Sequence, residues 1–530
     1  MKKRDIFTIL IILVLAINIS FTTVIGTENN EENLESEWTI LIYFVADNDL
    51  ENQIEDLLLN LEEINTSEEG IKIVIMVDKL SSEGAWIYEI INNERSLVMS
   101  FGEKNTANPL VLEEFIHYGI ENYPSEKIML SIKDHGFGWR GICLDETNDN
   151  LIMNTNGFVD ALKGNEIDLL LLDGESMASL EVAYELRDVV SYMVASESSI
   201  PSAGIPYDII LGNLTQNPEI QPVEFAEEIV DIYYNEYPLQ DCVTISAFNM
   251  SNIEIVGDAF SKVTEILKDK MEQYRNIVAP ARDHSLLGPD GVIASTNYMV
   301  DVYTFFNDLQ FIPDPDLQNA IQKFEQIYNN SLIAEAHSRQ FREIPHGLNL
   351  WFPPTLSKYQ SDGATINGQF IYKDCDLDII SESHWVHCLM DYYGVLPESF
   401  ELTSDADSPD DDGNYTLSWT DSAKADTYSL YWYHNKIIEL NQSLTLIESD
   451  LTGNSYNVEN MQNAVYYYLV VAYNEYGHIL SNCECIVVEI PPNENSNNNG
   501  ILPNAFLVAS IIIGILSIGV ISVALYKKKR

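Results

Sequence analysis

Positive charge is the scarcest commodity in this chain. Its 530 residues hold 28 lysines and arginines against 82 aspartates and glutamates, a formal net charge of −54. Such a surface repels phosphate backbones and anionic lipid headgroups, which argues against nucleic-acid binding. It fits a solubilising, salt-adapted or cell-surface coat, and it attracts cationic peptides. Cysteine is sparse too. Cys143, Cys242, Cys375, Cys388, Cys483 and Cys485 are scattered, with no CxxC pair and no zinc spacing. No resident metal or cofactor is therefore legible. A disulfide such as Cys375–Cys388 is permitted in an oxidising compartment but is not encoded by spacing.

Long apolar runs are confined to the two ends. Met1-Lys2-Lys3-Arg4 precedes an apolar run over 6–25 and a polar stretch over 27–37. Residues 1–27 thus read as a secretory signal, either cleaved or kept as an anchor. Residues 505–526 carry no charge and are followed by the basic tail 527–530. A run of that length crosses a bilayer core of about 30 Å, and the basic tail belongs on the cytoplasmic side. The expected location is a single-pass cell-membrane protein whose ectodomain is extracytoplasmic.

Between the ends, residues 38–208 alternate strands and helices. The strands are predicted at 38–46 (WTILIYFVA), 71–77 (IKIVIMV), 127–132, 167–172 (IDLLLL) and 192–195, and the helices at 48–64, 110–123 and 177–190. This alternation predicts an α/β domain with a mostly parallel sheet covered on both faces. Residues 209–395 continue in mixed style with no linker between, so 38–395 is read as one large unit. Near residue 402 the style changes. An acidic, turn-rich stretch over 404–413 (SDADSPDDDG) reads as a solvated linker or as a calcium loop, although it lacks the D-x-D-x-D-G order. Residues 402–490 then carry short alternating runs, the pattern of an all-β sandwich. Residues 491–503, which open with PPNENSNNNG, read as a stalk.

In an open α/β sheet, reactive groups gather at the carboxyl ends of strands. Two such ends stand out. Asp134-His135-Gly136-Phe137-Gly138-Trp139 follows one strand, and Asp173-Gly174-Glu175-Ser176 follows the next. The second is expected to enter a helix N-terminus, which would stabilise negative charge. Gly136 is the candidate oxyanion donor. A histidine after one strand and a nucleophile after the next is the layout of a Cys–His hydrolase.

The segments WTILIYFVADNDLE (38–51), DHGFGWRG (134–141), LLDGESMASLEVAYEL (171–186) and VASESSIPSAGIPY (194–207) resemble the clostripain (C11) family of caspase-like cysteine peptidases. The resemblance implies a caspase-like α/β/α sandwich over about 38–394. It also implies a catalytic histidine at His135, an acidic pocket for arginine or lysine side chains involving Asp173, and a nucleophilic cysteine at the position occupied by Glu175. A carboxylate with a reference pKa of about 4.3 is a poor nucleophile toward an amide. Beside His135 it favours imidazolium and so removes the free base. The expected function is a catalytically impaired, membrane-anchored homologue that binds peptides with basic side chains. The alternatives are an active Arg/Lys-directed endopeptidase and an adhesion or scaffold protein. Activity would require a substitute for the thiol: Ser176, Cys143, or Glu175 acting as a base on water. Trp419, the ADTY stretch at 425–428, and residues 466–474 followed by Gly477 resemble a fibronectin type III module.

Overall fold

The computed structural model describes residues 36–491, apart from 67–69, 82–83, 202, 239–242, 288–297, 340–343, 364–371 and 442. The expected signal segment, the membrane helix, the basic tail, Cys242 and the stalk beyond Pro491 lie outside the described residues. Among those described, no helix is long and apolar enough to cross a membrane. The chain divides into two compact units, with the break between Val395 and Leu396.

The first unit is organised by its strands. These are β1 (Ser36–Ala46), β2 (Ile71–Lys79), β3 (Ala85–Ile91), β4 (Glu94–Gly102), β5 (Ser125–Lys133), β6 (Ile142–Asp145), β7 (Leu151–Met153), β8 (Ile167–Asp173), β9 (Val190–Ala195), β10 (Thr244–Asn249), β11 (Met299–Asp301), β12 (Leu332–His337) and β13 (Asn349–Trp351). Nine of them form one sheet, in the order β12-β10-β9-β8-β5-β1-β2-β3-β4. The five central strands are parallel, joined by crossovers. Both edges are antiparallel, through β3 and β4 on one side and β10 and β12 on the other. The hairpin β3–β4 does not show as alternation in the sequence, since its outer strand is largely exposed and carries apolar side chains such as Leu97 at exposed positions. β1 and β8 are buried nearly throughout, as continuous apolar runs in a doubly covered sheet must be. Trp38, Ile40, Ile42 and Phe44 join the helices Tyr207–Gln216 and Pro222–Glu236 in one core cluster.

Two helix expectations are corrected. The helix expected at 48–64 begins with a single 3-10 turn, Asp49–Gln53, and becomes α-helical only at Ile54. The helix expected from 177 starts at Leu180, capped by Ser179, whose hydroxyl accepts from the Val182 N–H at 3.1 Å. Glu175 therefore does not stand at a helix N-terminus. The reason is local: Ser176 has φ +61°, and the N–H groups of Ser176 and Ala178 donate to Ser198 and Ser196 carbonyls at 2.9 Å. The chain continues there as an extended path beside the 196–198 segment.

The described residues of the second unit form two sheets. One has three strands: Leu402–Ser404, Tyr415–Trp419 and Ser455–Val458. The other has five: Thr427–Tyr433, Thr445–Leu451, Ala464–Asn474, Gly477–Leu480 and Glu484–Val488. Leu417, Trp419, Tyr428, Leu430, Tyr468 and Val470 belong to one core cluster, drawn from both sheets. In the acidic stretch, Asp405, Asp410 and Asp412 accept backbone N–H bonds from Thr416, Gly413 and Asn414 and so shape turns. The described cysteines are free thiols, Cys375 and Cys388 included.

Candidate active site

The parallel strands set the place of the site. From β1 the chain moves to β2 on one side, and the later strands β5 and β8 add on the other, so the topology reverses at the β1–β5 boundary. The crevice beyond the carboxyl ends of such strands is where an open α/β sheet binds ligands. Asp49 follows β1, His135 follows β5, and Glu175 follows β8.

These three residues meet. His135 Nε2 lies 2.7 Å from Asp49 Oδ1, and His135 Nδ1 lies 3.5 Å from Glu175 Oε1. Both ring nitrogens thus face carboxylate oxygens, which only the doubly protonated imidazolium can serve as donor. The imidazole pKa rises to about 9, mainly through the bond to Glu175, with Asp49 adding to it and burial opposing it. A histidine in this state holds its proton at neutral pH.

The loop that carries His135 is fastened from below. Asp134 is buried, and its carboxylate accepts from Asn48 Nδ2 at 2.8 Å and from the Leu144 N–H. Burial pushes its pKa upward despite these bonds. The Asp134 N–H donates to Asp173 O at 3.2 Å, tying the ends of β5 and β8 together. Gly136 is required by close approach. A side-chain carbon at that position would collide with the Glu175 carbonyl and the Met177 side chain. Trp139 closes the loop against Trp351 and Tyr372, at ring separations of 5.6 and 5.0 Å.

The turn that carries Glu175 is held by a distant residue. Asn349 Nδ2 donates to Glu197 O at 2.8 Å and to Ser176 O at 3.3 Å, and its N–H donates to Ala178 O at 2.8 Å. The backbone N–H groups of Ser176 and Ala178 are already spent on carbonyls, so they do not present an oxyanion hole. Cys143 is fully buried at φ +68°, and burial raises its thiol well above the usual range, so it holds no thiolate. Ser176 is buried as well.

Asp173, which the resemblance implies lines an acidic pocket, is buried in an ion pair. Its Oδ2 lies 2.9 Å from Lys133 Nζ and accepts from the Tyr207 hydroxyl at 3.2 Å. Asp49, Lys133 and Asn349 do not stand out in the sequence. Asp49 could have been found from the strand order, since it lies at the end of the strand where the topology reverses. Lys133 gives only the faint signal of a cation closing an apolar strand.

A second acidic group is assembled from three separate segments. Ligand oxygens of Asp47, Asp78 and Asp145 all lie within 4.8 Å of one another, and the three residues are buried. Burial raises Asp47 to about 6 and Asp78 to about 7, with neighbouring carboxylates adding to the rise. These are the residues that could hold a hard cation. Their oxygens also accept from Thr106, Thr147 and Asn148.

Comparison with known proteins agrees with this layout. The model of the clostripain family of C11 peptidases matches residues 42–468 and so runs past the first unit into the second. Clostripain from Hathewaya histolytica is 28% identical over an alignment of 238 residues, and the match covers 36% of this chain and 44% of that protein. The chain thus spans less than half the length of that curated relative. A secreted C11 cysteine protease from Bacteroides thetaiotaomicron, solved with an irreversible peptide inhibitor, is 18% identical. The match covers 66% of this chain and 99% of that one, with a TM-score of 0.52. An inactive zymogen C11 protease from Parabacteroides distasonis is 19% identical, with 66% of this chain and 98% of that one covered at a TM-score of 0.50. With strand order, the HG loop after β5 and the D-x-x-x-M-A turn after β8 all in place, this chain belongs to the clostripain family.

Proposed function

We propose that this clostripain-family protein is a catalytically impaired, membrane-anchored ectodomain that binds cationic peptide segments without cutting them. The observation that carries this reading is the contact of Glu175 with His135. The acid stands where the family motif has its thiol, and it keeps the imidazole protonated. Peptide hydrolysis by a Cys–His pair needs a thiolate nucleophile and an imidazole that passes its proton on, and a carboxylate supplies no such nucleophile. Asp49 and Glu175 instead form a partly exposed acidic rim for ammonium or guanidinium groups. The charge of −54 adds long-range attraction for such partners. Residues 505–526 would be the anchor, and the second unit is read as a fibronectin type III-like module. An active enzyme with a substitute nucleophile is disfavoured by the burial of Cys143 and Ser176.

The test is hydrolysis of Arg- and Lys-reporting peptides by the full-length chain, beside Glu175→Cys and Glu175→Cys/His135→Ala. An inert wild type, with cleavage gained in Glu175→Cys and lost again in the double variant, supports the reading. Cleavage by the wild type that disappears in His135→Ala overturns it.

A further inference from the structure

Lys133 ends β5 and Asp173 ends β8, and the parallel register sets them directly side by side. The ammonium is 2.9 Å from Asp173 Oδ2, with the two side chains only 5% and 1% exposed. The same ammonium lies 5.3 Å above the Phe44 ring, on the neighbouring strand. Asp173 Oδ1 is buried and has no hydrogen-bond partner. The ammonium and the Tyr207 hydroxyl thus share one oxygen of a carboxylate whose other oxygen is left over, where a guanidinium would supply two parallel donors.

The surroundings point the same way. Gly204, at φ +77°, lies against the pair, and a side-chain carbon there would strike Lys133 Nζ and both oxygens of Asp173. A cavity of about 420 Å³ is lined by Lys133 together with Ala203 and Tyr207. Its other charged lining groups are Asp56, Asp208 and Glu236, so Lys133 is the one cation among the described residues of an acidic recess. The cation that lines this recess is the partner of a buried carboxylate two residues from Glu175, so that carboxylate has already received a cationic side chain.

We propose that Lys133 is a built-in occupant of the Asp173 carboxylate, filling from within the place that an arginine or lysine side chain of a bound peptide would take. It is a specificity-determining residue that turns the recess against basic side chains. The inference deepens the peptide-binding reading above and rests on it: cationic peptides are held by the outer rim of Asp49 and Glu175, and not by Asp173.

The experiment is calorimetric titration of the full-length chain with propylguanidinium. Wild type is expected to bind only weakly, through the outer rim of Asp49 and Glu175. Lys133→Ala is expected to bind at least about tenfold more tightly, and Lys133→Ala/Asp173→Asn is expected to lose that binding. Equal binding by wild type and Lys133→Ala, or none by a folded Lys133→Ala, overturns the proposal. If Lys133→Ala alone is too unstable to titrate, the thermal midpoints of the two single variants and the double variant decide. Recovery in the double supports the pairing, and additive losses overturn it. Hydrolysis is measured in neither experiment, so failure here leaves the Glu175 reading standing, and the reverse also holds.

Discussion

Glu175 Oε1 lies 3.5 Å from Nδ1 of His135, and the charge it carries decides what that imidazole does. The contact is the largest single cause of the rise in the His135 pKa to about 9. Glu175→Gln removes the charge and keeps the shape, so the His135 pKa should fall toward its ordinary value near 6.5. Asp49→Asn should lower it less, because the Asp49 side chain is 80% exposed and screened by solvent. Titration of the histidine ring by NMR distinguishes the two. A His135 pKa near 6.5 in the wild type would count against the pairing.

The same proton is linked to stability. The folded-state pKa of His135 lies above its unfolded value, so the native state binds the proton more tightly. The stabilisation is complete below about pH 6.5 and is lost as pH rises through about 9. The thermal midpoint of the wild type should therefore fall more steeply from pH 7 to 10 than that of His135→Gln. Parallel curves for the two proteins would contradict the linkage.

Asp78 has the same direction of shift for a different reason. Its carboxyl is raised to about 7, first by burial and then by Asp145 and Asp47. The unfolded value is about 3.9, so ionisation costs the native state more than the unfolded one. Stability associated with this group is present below about pH 4 and is lost as pH rises to about 7. Asp78→Asn should raise stability by about 0.5–2 kcal/mol at pH 8 and by little at pH 4. Denaturant titrations at the two pH values provide the measurement.

Packing of the loop that carries His135 depends on Trp351. The ring is fully buried, 4.7 Å from Tyr372 and 5.6 Å from Trp139, and its carbonyl accepts from Trp385 Nε1 at 3.3 Å. Trp351→Ala should cost about 3–5 kcal/mol, read from a denaturant titration. Gly136→Ala should act more locally. Its added carbon meets the Glu175 carbonyl, so the His135 resonances should shift and the raised pKa should be lost while most of the unit stays folded.

The central strands were legible because a doubly covered parallel sheet demands unbroken apolar runs, as in WTILIYFVA and IDLLLL. His135 and Glu175 were legible as residues just beyond two of those runs. The start of the helix after Glu175 was not, because Met177 and Ala178 are apolar and continue the helical period. What decides the matter is the positive φ of Ser176 and the partners its neighbours find in 196–198, and neither leaves a local mark. Asp49 was hidden inside a stretch that reads as the start of an amphipathic helix. Lys133 was hidden because a register, and not a spacing, sets it beside Asp173. The cluster of Asp47, Asp78 and Asp145 joins residues from three separate segments, which no one-dimensional pattern marks.

Asn349 fastens the turn of Glu175 from far along the chain, through the Ser176, Ala178 and Glu197 carbonyls. The shape of that turn is thus inherited from two stretches of sequence that can drift independently. A genetic selection for cleavage starting from Glu175→Cys would accordingly return suppressors around β11 and β13 as well as beside the new thiol. The history of lost or regained activity in such a chain would be written partly in residues that never meet a substrate.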